Sequence, residues 1–176
     1  MRIISGTHKG RRINPPKNLP VRPTTDFAKE SLFNIMSNYF DFESLNVLDL
    51  FTGTGNISYE FASRGANDIT SVDVNHKCLQ FIKKITLALG FENINIIKNN
   101  AFKYLADCKD HYGIIFADPP YELEGIDLIA ELVFDNKLLK NNGWLIIEHK
   151  KKTDFSKHKH FLEKRRYGEV NFSIFL

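Results

Sequence analysis

Apolar positions follow two rhythms along this chain. Residues 2 to 13 alternate loosely between apolar and polar, which predicts a small hairpin around Gly6 to Gly10. Pro15, Pro16, Pro20 and Pro23 exclude regular helix over the next stretch and predict an extended arm. A helix is expected from Thr25 or Asp26, either able to cap it, to about Phe40. Its apolar stripe would comprise Phe27, Leu32, Phe33, Ile35, Met36 and Phe40. From residue 45 onward, short apolar runs alternate with amphipathic ones. The runs predict strands over 45–51, 69–74, 94–97, 113–117 and 144–148. Helices are predicted over 56–64, 76–89, 102–108 and 126–134, the first two closed by Gly65 and Gly90. Segments 160–166 and 169–175, about Gly168, read as an antiparallel pair. Such alternation predicts an α/β fold, with a mainly parallel sheet, helices on both faces and right-handed crossovers.

The chain has 176 residues and neither internal repeats nor a low-complexity linker. A basic arm over 1–24 and one main domain over 25–176 are therefore expected. No stretch approaches the roughly 18 uninterrupted apolar residues of a membrane span. Met1-Arg2-Ile3-Ile4-Ser5-Gly6 lacks the apolar run of a signal peptide. A cytoplasmic monomer without membrane contact is the expectation. Cys78 and Cys108 lie far apart, outside any Cys-x-x-Cys pattern, and read as buried small hydrophobes. The histidines are scattered or sit in the tail, so no metal site is expected. The net charge of +3 conceals a strong asymmetry. Residues 1–22 carry six cations, among them Arg2, Lys9, Arg11 and Arg12, and no carboxylate. Residues 150–166 carry a net +6, and the remaining chain a net −9. Two basic segments on an acidic body can orient a polyanion, or can be solvated surface.

The first core strand runs into Asp49-Leu50-Phe51-Thr52-Gly53-Thr54-Gly55. A Gly-x-Gly turn ahead of a helix lets a ligand approach the backbone, although many strand-to-helix turns carry one. Asp73 ends the second strand 20 residues after Gly53, where a carboxylate can accept hydrogen bonds from ribose hydroxyls. Ser58 stands where a dinucleotide fingerprint would have its third Gly or Ala. Asp49 would repel a pyrophosphate but not a cationic methionine moiety. Together these features favour S-adenosylmethionine over NAD. Taken singly, Asp49 also fits a loop-orienting carboxylate and Asp73 a helix cap. Asn100, ahead of Ala101 after the third strand, can reach an adenine amino group or cap the next helix.

The fourth strand ends in Asp118-Pro119-Pro120-Tyr121, at the carboxyl edge where open α/β sheets bind ligands. Two prolines stiffen the turn and remove two N–H donors, so it presents carbonyl oxygens. That suits methylation of a nucleobase amine, whose lone pair is delocalised into the ring. Accepting both N–H groups, one at Asp118 and one at the Pro119 carbonyl, localises and aims that lone pair. Tyr121 offers a stacking face for an unpaired or flipped-out base. By itself the tetrapeptide also fits a rigid strand exit.

With these residues placed, the chain resembles the class I methyltransferases that act on amino groups. More narrowly, it resembles the bacterial small-subunit (16S) ribosomal RNA guanine-N2-methyltransferase family. Arg2-Ile3-Ile4-Ser5-Gly6 and Lys9-Gly10-Arg11-Arg12 resemble that family's basic opening. Arg22-Pro23-Thr24-Thr25-Asp26 and Lys29-Glu30-Ser31-Leu32-Phe33-Asn34 are similar to its signature arm and first helix, and Gly65-Ala66 also fits. The resemblance implies a Rossmann-like seven-stranded sheet with the last hairpin inserted antiparallel. It implies S-adenosylmethionine as methyl donor, no metal, and guanine N2 as acceptor, with an assembling small ribosomal subunit as the substrate. It also implies an arm around Arg22 to Asp26 that closes over the cofactor. The candidate cofactor residues are then Arg22 and Thr24 in the arm, and Asp49, Phe51, Gly53 and Gly55 after the first strand. Asp73 and Val74 follow the second strand, Asn100 and Ala101 the third. Arg2, Lys9, Arg11 and Arg12 are candidate RNA contacts. Asn100 departs from the acid common in related enzymes, and Asn75 from an expected Asp. Rival readings are an adenine-N6 methyltransferase on DNA or RNA, a protein-glutamine methyltransferase, and a non-catalytic RNA-binding module. The front signature and the lack of a target-recognition domain argue against the first. Asp rather than Asn leading the tetrapeptide argues against the second, and the intact glycines and acids against the third.

Overall fold

The computed structural model describes residues 1–16, 19 and 24–176. Pro20, Arg22 and Pro23 of the expected arm lie outside these residues. Helix α1 (Asp26–Met36) starts where the Thr25 hydroxyl accepts the Ala28 N–H at 3.2 Å. It stops short of Phe40. Ser37 Oγ and Asn38 Nδ2 both donate back to the Asn34 carbonyl, at 2.8 and 3.2 Å. The chain then turns so that Tyr39 and Phe40 lie against Trp144. Leu32, Phe33 and Met36 are buried as expected, but Phe27 is 66% exposed. It lies about 100° around the helix from Ala28, which is buried in its place. Its ring meets Tyr167 edge-on at 6.1 Å.

The alternating region follows as β1 (Asn46–Leu50), α2 (Asn56–Ser63), β2 (Asp68–Asp73), α3 (His76–Leu89), β3 (Ile94–Lys98) and α4 (Ala101–Asp107). Then come β4 (Tyr112–Ala117), α5 (Asp127–Asp135), β5 (Leu139–His149), β6 (Phe161–Tyr167) and β7 (Val170–Phe175). The seven strands form one sheet in the order β3-β2-β1-β4-β5-β7-β6. Strands β1 to β5 are parallel, and β7 runs antiparallel to both β5 and β6. Strand β5 begins earlier than the apolar run suggests. Its register slips between Tyr112↔Leu139 and Ile114↔Trp144, around Asn142 at φ +61°. Asn141-Asn142-Gly143 is therefore an irregularity inside a strand.

Successive strand residues face opposite layers. Val47, Ile114, Phe116, Ile146 and Phe172 pack towards α1, α2 and α3. Leu48, Ile115, Leu145, Ile147 and Phe175 pack towards α4 and α5. Each such side chain contributes about 1.5–3 kcal/mol on full burial. Cover on both faces is why these strands are almost continuously apolar. Strand order reverses between β1 and β4, which opens a crevice at the carboxyl edge.

The ends of residues 2 to 13 pair antiparallel as expected, with the Ile3 N–H on the Arg11 carbonyl at 2.9 Å, the Gly10 N–H on the Ile3 carbonyl at 2.8 Å and the Ile13 N–H on the Met1 carbonyl at 3.0 Å. Arg2 and Arg12 pair at one isolated bridge, and Gly6 and Gly10 turn the chain at φ +81° and +82°. Between these ends, the backbone from Ile4 to His8 bonds to α2. The Ile4 and Ser5 N–H groups donate to Glu60 at 2.8 and 3.1 Å. The Thr7 N–H donates to the Ser63 carbonyl at 2.7 Å. The ends of the segment thus pair with each other while its tip is seated on a helix remote in sequence.

Candidate active site

A cavity of about 440 Å³ opens at the crevice, lined by the ends of β1, β2, β4 and β5. Beyond β1, Phe51 is forced to φ +58°, a left-handed conformation that costs a non-glycine residue about 1–2 kcal/mol. Two bonds hold the turn: Thr52 N–H to the Val72 carbonyl at 3.1 Å, and Gly53 N–H to Asp73 Oδ2 at 2.8 Å. The other Asp73 oxygen accepts the Asn75 N–H at 2.8 Å. Gly55 begins α2 at φ +80°, and a Cβ there would lie 2.7 Å from Tyr59 Cζ. Its task is close packing of the turn against that ring.

Asp49 is 1% exposed. Its Oδ2 accepts Thr52 Oγ1 at 2.7 Å and also Ser58 Oγ, which sits 2.7 Å from Ser71 Oγ. Burial pushes the Asp49 carboxyl up to about 6, against the opposing pull of the Ser58 and Thr52 hydrogen bonds. Asp118, after β4, is raised well above the usual carboxylate range. Burial is the main cause, followed by the charges of Glu148 and Asp49. Glu148 is 3% exposed, and its Oε2 accepts the Thr24 hydroxyl at 2.7 Å.

From Thr24 a buried polar chain leads away from the cavity. The Thr24 carbonyl accepts Asn56 Nδ2 at 3.0 Å, and Asn56 Oδ1 accepts Lys29 Nζ at 2.8 Å. Lys29 also donates to the Arg2 carbonyl at 2.7 Å and lies 3.3 Å from Glu60. Glu60 in turn holds Arg64 Nε at 2.9 Å and the Ile4 and Ser5 N–H groups. Burial lowers the Lys29 pKa, and Glu60 works against that shift. The cavity and the basic N-terminal loop thus share one hydrogen-bonded interior.

A family model described as conserved hypothetical protein 95 matches residues 1–176. The chain belongs to that family. The ribosomal RNA small subunit methyltransferase D of Buchnera aphidicola subsp. Baizongia pistaciae is 35% identical over 84% of this chain and 75% of its own length. The protein of the same name from Escherichia coli strain K12 is 32% identical over 84% and 71%. The solved structure of yhhF from Escherichia coli, a candidate methyltransferase, superposes with a TM-score of 0.85 at 26% identity. It covers 99% of this chain and 96% of that one. The resemblance read from the front signature and the proline turn therefore holds, and the chain is a methyltransferase of this family.

In this methyltransferase the cavity brings together Thr24, Asp49, Phe51, Gly53, Asp73 and Val74 with Asp118, Pro119, Pro120 and Tyr121. Tyr121 is 48% exposed, with Lys150 Nζ 5.2 Å from its ring centroid. Gly55, Asn100 and Ala101 are not among the lining residues. Asn100 caps α4, accepting from the Phe102 and Lys103 N–H groups. Arg22 lies outside the described residues. Arg2, Lys9, Arg11 and Arg12 are exposed on the N-terminal loop, Arg2 within 3.7 Å of Asp26. Both cysteines are buried and free. Sequence reasoning missed Glu148 and Asn56. Glu148 did leave a signal, since it is an acid closing an apolar strand, just as Asp118 is.

Proposed function

We propose that the chain transfers a methyl group from S-adenosylmethionine to the exocyclic N2 amine of a guanine in small-subunit ribosomal RNA. The observation that carries this reading is one cavity lined by both the Gly53–Asp73 turn and Asp118-Pro119-Pro120-Tyr121. The donor's fit is supported by charge. Asp49, Asp73, Asp118 and Glu148 line the cavity, and none of its described lining residues is a cation. Such a site disfavours a pyrophosphate and suits a sulfonium. Asp73 and the Gly53 turn would hold the ribose and the adjoining chain, and Asp49 the cationic end. When bound, the donor supplies an electrophilic methyl on positively charged sulfur.

The remaining work belongs to the chain's own residues. Asp118 accepts one N–H of the amine and the Pro119 carbonyl the other, so the nitrogen lone pair points at the methyl. As the N–CH₃ bond forms and the S–CH₃ bond breaks, the nitrogen sheds one proton, which Asp118 is placed to take. Tyr121 provides a stacking face at the mouth, and the base must first leave any helix, at about a few kcal/mol. Ribosomal RNA as the substrate is supported by the named relatives and by the exposed basic loop of Arg2, Lys9, Arg11 and Arg12.

Labelled methyl transfer to small ribosomal subunits lacking the modification tests the reading, with nucleoside analysis of the product. Label in N2-methylguanosine is expected, whereas label in N6-methyladenosine would overturn the choice of base. Asp118→Ala should lower turnover by about 100-fold or more while RNA is still bound. Retained turnover would remove Asp118 from the chemistry.

A further inference from the structure

The proline turn explains how an amine is held but not how guanine is chosen, because adenine and cytosine also carry an exocyclic amine. The bases differ at the ring atom beside it. Guanine presents N1–H next to N2, so its edge is a row of donors. Adenine N1 and cytosine N3 are acceptors at the corresponding place. An ionised carboxylate is an acceptor only.

Strands β4 and β5 pair in parallel register, with Ala117 opposite Ile147. The next residue on each strand is an acid. Asp118 and Glu148 therefore leave the sheet side by side, and both line the cavity. They share the face of Phe116 and Ile146, two residues nearer the sheet's centre. Glu148 is oriented, since its Oε2 accepts the Thr24 hydroxyl at 2.7 Å. A carboxylate has about four acceptor positions, so that bond is compatible with a second donor. In their ionised forms two neighbouring carboxylates match a donor–donor edge and oppose a donor–acceptor one, and the N–H groups of that edge would offset the burial and mutual repulsion that raise the Asp118 pKa.

We infer that Glu148 selects guanine, its carboxylate accepting the base N1–H while Asp118 accepts from the N2 amine. This rests on the proposed reading of the site as a guanine-N2 methyltransferase and adds the residue that sets its base specificity. A site built to bond a substrate N–H rejects analogues lacking it by up to about 10⁴-fold.

The test replaces the guanine labelled by the unaltered enzyme with 2-aminopurine, by splinted ligation of the RNA and reassembly of the subunit. 2-Aminopurine keeps the N2 amine but has an acceptor at N1. Single-turnover transfer by the unaltered enzyme should favour guanine by about 10-fold or more. Glu148→Gln keeps the side-chain shape and an oxygen for Thr24, but offers an amide donor to N1. Its guanine-to-2-aminopurine ratio should fall to about one or below. Equal rates on the two bases with the unaltered enzyme would overturn the inference without any variant. So would a ratio left unchanged in Glu148→Gln, which would confine Glu148 to holding Thr24. Thr24→Val, which removes the hydroxyl but not the carboxylate, should keep the preference for guanine. If the unaltered enzyme labels no guanine N2, the underlying reading of the site fails, and this outcome is distinct from the others.

Discussion

Asp49 shows how a single residue is held at odds with stability. The carboxyl ordinarily titrates at 3.8, and burial moves it to about 6. Between those values the folded chain binds more protons than the unfolded one, so stability falls as pH rises through this window. Above about pH 6 the burden is complete, and below about pH 4 it is gone. Asp49→Asn should therefore raise the melting temperature of the ligand-free protein at pH 7.5. A change of this size corresponds to about 3 kcal/mol at most, or several degrees. At pH 4 the two proteins should melt together. A variant no more stable at pH 7.5 would mean that the Thr52 and Ser58 hydroxyls fully offset the burial. The same change should weaken the binding of a cationic donor, the usual exchange of stability for function.

At the level of elements, α3 and α1 differ in how openly the sequence declared them. The bounds of α3 follow from its own residues: Asn75 caps the start, accepting from Lys77 and Cys78, and Gly90 closes the end at φ +68°. In α1, periodicity revealed Leu32, Phe33 and Met36 but concealed Lys29, which is buried among them. The partners of Lys29 are Asn56, Glu60 and the Arg2 carbonyl, all remote in sequence, so no local pattern could show them. The seating of the N-terminal loop's tip on α2 is equally remote in sequence, because the Ile4 and Ser5 donors go to Glu60. Lys29→Met should remove about 3–5 kcal/mol of stability by leaving Glu60 buried with Arg64 as its remaining charged partner. A urea midpoint shifted accordingly, with faster amide exchange at Ile4 and Ser5, would be the signature. An unmoved midpoint would show that the ion pair contributes nothing beyond its cost of burial.

For the whole molecule, the architecture was legible and half of the site with it. Apolar runs alternating with helices gave the parallel core, and an acid followed by two prolines marked where it ends at Asp118. Glu148 was not legible as its neighbour, because their adjacency depends on the register between β4 and β5. The basic loop rests on the acidic body through Glu60 and Ser63, with Lys9, Arg11 and Arg12 exposed. Replacing those three by Gln should weaken RNA binding and flatten its dependence on salt by about two to three units of log–log slope. An unchanged slope would make them solvated surface. One feature of the sheet also bears on how the chain is born. Strand β7, the last of the seven to be synthesised, lies between β5 and β6 rather than at an edge. At translation speeds of about 5–20 residues per second, the segment from β5 to β7 takes on the order of one to five seconds to appear. Until β7 adds to it, β5 carries an open, apolar edge. The parallel core is therefore closed against edge-to-edge pairing by the segment of the sheet that is made last.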